Sequence, residues 1–325
     1  MTLVVFQKLL AILLAIGLGY VAGRARWLGD DQPVVARVLG NIAFTVFVPA
    51  LLFRTTARLD LGTLPWRTVS AFFVPALAVL FASYAWSRGE RERHGPSAAA
   101  VRAISTSFGN SVQLGIPFAA ALFGEAGLGI HIALVSLHAL VLLSVATTLA
   151  ELDIAHAHAA HAGARSVAHT LGLTLRNTVL HPVILPVLAG LAWNFTGLGL
   201  HSVADEVLVM LSDAVVPVCL VLIGVTLAAY GVRGRVRAAI GVTAVKLLVL
   251  PALVLVVAHW VFGLAGTPLA VVVMLGAMPV GSNALILAQR YRTLEAEATA
   301  AIVLSTFAFA ATATLWLGVL AWLAR

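Results

Sequence analysis

Two short stretches carry the residues best suited to hold a ligand. SFGNSVQLGIP (107–117) and LGAMPVGSN (275–283) each set glycine, a carboxamide and proline inside an apolar run. Proline removes a backbone donor and clashes with the preceding turn, and glycine lowers helix propensity by about 1 kcal/mol. Each stretch is therefore expected to interrupt a helix, with Gly115 and Pro117 marking one break and Pro279 and Gly281 the other. A helix that restarts after such a break offers first-turn N–H groups and about half a positive charge. Two such ends facing each other would make an anion site without a buried basic residue. Asn110, Ser111, Gln113, Ser282 and Asn283 would supply directional donors and acceptors around it.

The elements that position these residues follow from composition. The 325 residues are 61% hydrophobic and 10% charged, with a mean hydropathy of +1.04. A soluble domain carries about 25% charged residues, so the lipid bilayer is the solvent and partner this chain requires. Ten segments are long and apolar enough to span it, approximately 3–22, 34–53, 68–87, 98–124, 127–150, 171–194, 203–229, 238–262, 268–289 and 296–323. The expected class is therefore an all-α membrane protein of ten transmembrane helices. The first segment is too long for a signal-peptide core and is taken as a helix. The single cysteine, Cys219, allows no internal disulfide, and no metal or cofactor motif is present. The net charge of +7 does not imply nucleic acid, because the arginines fall between apolar runs.

Those arginines also orient the chain. With the N-terminus outside, fourteen of the 20 Lys and Arg residues face the cytoplasm and four face outward, while Lys8 and Lys246 lie within segments. Positive charge is retained on the cytoplasmic side, so both termini are expected on the periplasmic or extracellular face of the cell (inner) membrane.

The two halves resemble each other. FVPALLF (47–53) matches VVPVCLV (215–221), and LGIPFAAAL (114–122) matches LGAMPVGSNAL (275–285), at similar separations. This divides the chain into a first five-helix repeat (1–150), a cytoplasmic linker (151–170) and a second repeat (171–325). Five is odd, so the second copy is inverted. Inverted repeats characterise secondary transporters.

Six stretches together resemble the auxin efflux carrier family, which includes plant auxin exporters and bacterial malate or malonate permease-like proteins. They are Asn41 with FVPALLF; GNSVQLGIPFAAALFGEAGL (109–128); LSDAVVPVCLVLIGVTLA (211–228); VKLLVLPAL (245–253); AMPVGSNALILAQRY (277–291); and LSTFAFAATATL (304–315). The resemblance implies a scaffold of helices 1, 2, 6 and 7. It also implies an elevator-type transport domain of helices 3–5 and 8–10, with substrate beside the crossover of helices 4 and 9 and a homodimer through the scaffold. Asn110 matches a substrate-contacting Asn of the plant-type members, whereas Asn283 matches an Asn of bacterial members that the plant-type members lack. That departure argues against assuming an auxin substrate.

Asn41, Asp213 and Lys246 are candidate proton or scaffold sites. Asn41 enters through the family match alone, and the other two have two readings each. Asp213, about ten residues into the seventh segment, is a candidate protonation site or a packing acid, since an ionisable group at that depth costs about 2.5–3.5 kcal/mol. Lys246 is expected to snorkel to the cytoplasmic surface, the alternative being a charge that neutralises a broken-helix C-terminus. His131 and His138 share one face of the fifth segment and are expected to pack or line a cavity, while His156, His158, His161 and His169 read as a solvated linker rather than a metal site. No phosphate loop, HExxH or GxSxG motif occurs, so an ATP-driven pump or a hydrolase is not expected.

The expected activity is alternating-access transport of small organic anions, mono- or dicarboxylates or auxin-like acids. One charge is worth about 2.3 kcal/mol per 100 mV, so with the cytoplasm negative, export needs no coupling ion. The alternatives are a sodium-coupled bile-acid-type symporter, which sodium-dependent binding would reveal, and a membrane sensor that binds without transport.

Overall fold

The structure, a computed structural model, describes residues 3–323 apart from 59–63, 91–93, 113, 162–179, 181–183 and 231–235. Every named element among the described residues is helical: α1 (Leu3–Arg24), α2 (Gln32–Ala57), α3 (Trp66–Ser87), α4 (Ala98–Ser107), α5 (Gly115–His138), α6 (Ser144–His161), α7 (Ile184–Phe195), α8 (Ser202–Asp213), α9 (Val215–Tyr230), α10 (Val236–Val261), α11 (Gly266–Ala277), α12 (Asn283–Arg290) and α13 (Glu295–Leu323). Among these residues, six helical runs are long and apolar enough to cross a bilayer: Gln32–Ala57, Trp66–Ser87, Phe118–Ala157, Ser202–Ala229, Val236–Val261 and Glu295–Leu323. The chain is a multi-pass membrane protein.

The stretches expected over 98–124 and 268–289 are each divided in two, as α4 and the start of α5, and as α11 and α12. Gly124 inside α5 adopts φ 62°, ψ −164°, a conformation that glycine alone takes readily. It separates the first piece of α5 from the long helix that continues through the π-turn Ala139–Leu143 into α6. That helix runs on to His161, over the first part of the expected linker. ELDIAHAHAAH is rich in alanine and has no glycine or proline to stop it. His156 is exposed, whereas residues 162–170, including His169, and the start of the expected sixth segment at 171 lie outside the described residues.

Two prolines inside spanning helices follow wider turns. Pro49 and Pro251 sit two residues beyond the π-turns Ala43–Phe47 and Val245–Val249. A proline has no N–H and crowds the carbonyl four residues earlier, and a π-turn makes room for the ring. The carbonyl left over by Pro251 is that of Leu247, and the Trp316 indole Nε1–H donates to it at 2.8 Å. In hydrocarbon an unpaired carbonyl has no water to turn to, so a side chain from α13 completes α10.

Helix packing separates into two groups. α1, α2, α7, α8 and α9 pack chiefly on one another, with α1 lying along α9. There Gly19 and Gly224 let the two backbones touch, since a Cβ on either would overlap the facing main chain. Small residues at such contacts are the usual basis of close packing in membranes. α3–α6 and α10–α13 form the second group, held by the α3–α4, α10–α13, α10–α11 and α5–α11 contacts.

Trp316→Phe keeps an aromatic ring but removes the indole N–H, and with it the side-chain partner of the Leu247 carbonyl. An unsatisfied buried acceptor costs about 1–3 kcal/mol, so the variant should melt several degrees below the parent in a detergent thermal-unfolding assay. An unchanged melting temperature would show that α10 does not depend on this bond.

Candidate functional site

The site begins where two helices stop. α4 ends at Ser107 and Phe108 turns extended (φ −86°, ψ 118°). α11 ends at Ala277 and Met278 does the same (φ −56°, ψ 145°). The two extended segments cross antiparallel, with Gly109 bridged to Val280. Asn110 N–H donates to the Pro279 carbonyl at 2.8 Å, and Gly281 N–H donates to the Phe108 carbonyl at 3.0 Å.

Side chains satisfy the amides that this bridge leaves over. Gly109 N–H donates to His138 Nε2 at 3.2 Å, and Val280 N–H donates to Ser305 Oγ at 3.0 Å. The Ser111 carbonyl can only accept, so His131 Nε2 donates to it, at 2.8 Å. The His138 ring also stacks edge-on against Phe108, centroids 4.4 Å apart. His131 and His138, seven apart on α5, thus clamp the same break from one face. Their spacing is visible in the sequence, their target is not. Ser305 carries no spacing signal and lies only within the LSTFAFAATATL match.

The glycines and prolines have separate duties. A Cβ on Gly281 would stand 2.7 Å from the Phe108 ring and 2.9 Å from the Gly109 carbonyl oxygen, so the crossing requires glycine there. A Cβ on Gly115 would meet the His131 ring at 2.7 Å. Pro117 falls in the first turn of α5, where an N–H has no intrahelical acceptor to lose. Pro279 contributes the carbonyl that Asn110 uses.

The expectation of bare first-turn amides needs correction. Ala284, Leu285 and Ile286 donate to the Gly281 and Ser282 carbonyls at 3.1, 3.0 and 3.2 Å, and Gly115 donates to the Asn110 carbonyl at 3.1 Å. These turns close on themselves because Ser282 already has helical φ/ψ (−58°, −23°) and starts the turn early. The aligned peptide dipoles remain, but the directional bonds to a ligand fall mainly to side chains.

Lys246 is the second correction. It does not snorkel: it is fully buried, and its Nζ donates to the Gly276 carbonyl at 2.5 Å. A Cβ on Gly109 would lie 3.4 Å from that nitrogen. The ammonium therefore sits at the carbonyl end of α11, against the crossing, where the helix dipole is negative. The stem could have reached water, but the open C-terminus of α11 is nearer and binds it. A buried basic residue thus does belong to this region, contrary to the expectation of a site without one.

The crossing opens into a cavity of about 560 Å³. Asn110, Ser111, Ser282 and Asn283 line it from the two breaks, joined by Asp213 and Arg54. Asn110 and Ser111 are buried, and Asn283 is half-buried. The Asn110 Oδ1 and His138 Nδ1 atoms are buried without a partner. Such orphaned polar atoms are uncommon and ask for a ligand or water. Asp213 ends α8 just before the bend at Ala214 and is exposed, so it is not the buried packing acid of its second reading. Arg54 was legible only as an outer arginine. In the fold it holds Asp205 through Nε at 2.8 Å while Arg58 takes the other carboxylate oxygen at 2.8 Å. Asn41 is exposed on α2 and is not among the cavity residues. Gln113 lies outside the described residues.

Residues 4–317 match the family model described as membrane transport protein. A relative described as an uncharacterized transporter, from Methanothermobacter thermautotrophicus, is 24% identical over 288 residues, which cover 87% of each chain.

Gly281→Ala places a methyl group against both the Phe108 ring and the Gly109 carbonyl. Overpacking of this kind costs about 1–3 kcal/mol, so the melting temperature should fall. Gly241→Ala, on an open face of α10 with nothing within 4 Å of its Cβ, should not lower it. Equal behaviour of the two variants would refute the close crossing.

Proposed function

Since the chain belongs to the membrane transport protein family, that of the auxin efflux carriers, we propose that this membrane transporter is a secondary carrier of small organic anions, mono- or dicarboxylates. The observation that carries this reading is the crossing itself. Two interrupted spans exchange backbone hydrogen bonds beside a cavity of about 560 Å³, and the Asn110 carboxamide lines that cavity at the crossing. Interrupted helices whose ends meet within the membrane are where secondary transporters hold their substrates.

A carboxylate docks between the breaks. Asn110 Nδ2 and the Ser111 and Ser282 hydroxyls donate to its oxygens, with Asn283 orienting the remainder of the molecule. The dipoles of α5 and α12 and the ammonium of Lys246 make the local potential positive. Asp213 lines the same cavity.

Movement follows from the packing. The chain forms two inverted five-helix repeats spanning ten times, and their interleaving yields the two packed groups. α1, α2 and α7–α9 are the scaffold. α3–α6 and α10–α13 carry the crossing as the transport domain and slide against the scaffold, giving alternating access. With both termini outside the inner membrane, as expected from the arginine distribution, the end of α2 and the start of α8, where Arg54 and Arg58 hold Asp205, lie at the outer face. The cavity then reaches the crossing from outside, and the conformation is the outward-facing one. Export of the anion runs down the membrane potential.

Purified protein screened against a panel of carboxylates should show a ligand-induced rise in melting temperature, and liposomes should take up the same compounds. Asn110→Ala should abolish the ligand-induced shift without lowering the melting temperature of the ligand-free protein. Loss of one charge-assisted bond, about 1.5–3 kcal/mol, corresponds to a ten- to hundred-fold weaker affinity. An unchanged shift in Asn110→Ala would remove the crossing from the binding site.

A further inference from the structure

A second cavity, of about 520 Å³, lies away from the crossing and between α3 and α10. α3 packs against residues 250–261 of α10, whereas the cavity is lined by the earlier residues Gly241, Val242 and Val245 of α10 and by Val79, Ser83 and Trp86 of α3. The two helices close at one end and splay at the other. The volume falls within the range of about 300–1,000 Å³ typical of ligand sites.

The floor of the wedge is polar but internally paired. Arg102 of α4 grips Glu297 of α13 with both ends of its guanidinium, Nε–Oε1 at 2.6 Å and Nη2–Oε2 at 2.9 Å. The Thr106 hydroxyl donates to Ser83 Oγ at 2.8 Å. With the acid neutralised in place, the walls are left mainly aliphatic. The flanks open sideways: Trp86 is 88% exposed and Val249 51% exposed. On a spanning helix such exposure means contact with lipid.

The wide end carries positive charge. Arg88 follows the lining residue Ser87, its guanidinium 5.8 Å from the Tyr84 ring centroid, and Arg237 precedes the lining residue Ala238; both arginines are exposed and flank the lining rather than belong to it. An aliphatic slot open to the bilayer and ending in arginines has the amphipathic order of a phospholipid with an anionic head. Basic pockets between spanning helices on the cytoplasmic side recognise such headgroups, and an arginine can bind a phosphate through two parallel hydrogen bonds.

We propose that the wedge between α3 and α10 is a binding site for one anionic phospholipid, with an acyl chain lying between the helices and its phosphate held by Arg88 and Arg237. The lipid props the splayed ends apart and ties together α3, α4, α10 and α13. Free phosphate cannot fill the aliphatic part, and a zwitterionic lipid gains nothing net from the arginines.

The test is native mass spectrometry of the purified full-length protein with phosphatidylglycerol or phosphatidylcholine at equal concentration. The parent should retain one phosphatidylglycerol preferentially. Arg88→Gln/Arg237→Gln should weaken that binding about thirty-fold, the effect of two arginines each near an anionic headgroup, and leave phosphatidylcholine binding unchanged. Gly241→Phe, whose Cβ meets nothing within 4 Å, should place a ring in the wedge and remove the retained lipid. Equal retention of both lipids by the parent would overturn the proposal, as would undiminished phosphatidylglycerol binding in the double arginine variant. The arginine variant lies outside the spans and decides the matter even if Gly241→Phe fails to fold. Neither change touches the crossing, so a carboxylate-induced thermal shift should persist in both.

Discussion

Backbone groups inside a bilayer must find partners within the protein, and the crossing of the two interrupted spans is where this chain meets that demand without a helix. The pair of bonds between Asn110 and Pro279 and between Gly281 and Phe108 joins segments more than half the chain apart. Each break would be untenable alone, because the amides of Gly109 and Asn110, or of Val280 and Gly281, would lie unsatisfied in hydrocarbon. Together they form one short antiparallel bridge, and the surplus amides pass to His138 and Ser305. The rest of the second packing group is arranged so that these contacts can exist.

The same constraint explains the buried charge nearby. Lys246 occupies a π-turn made roomy ahead of Pro251, and its ammonium answers the open carbonyl end of α11 at Gly276. An isolated ammonium in an apolar interior is very costly. Here it has a strong acceptor and a helix dipole of the right sign, and it adds positive potential close to a cavity whose polar lining is largely neutral.

The two cavities differ in what bounds them. The one at the crossing is lined by both packing groups, α2 and α8–α9 from one and α5 and α12 from the other. The wedge between α3 and α10 is lined by one group only, with the Arg102–Glu297 pair as its floor.

The sequence by itself determined the solvent, the helical class and the places where helices fail. Hydrophobic run length and the clustering of Gly109, Gly115, Pro117, Pro279 and Gly281 act within a few residues, and local propensity can be judged at that range. It also pointed to Asn110, Ser111, Ser282 and Asn283, because carboxamides and hydroxyls beside a break have few reasons to be there. Only the tertiary structure decided which partners complete those breaks. Lys246 had a stem long enough for the surface, and its burial depended on α11 lying opposite. The first-turn amides looked free until the turns closed on Gly281 and Ser282. Arg54 joined the cavity through Asp205, which is 151 residues away in the chain, while Asn41 faced outward. These outcomes depend on contacts between remote segments, and no periodicity along one helix encodes which neighbour its polar face will meet.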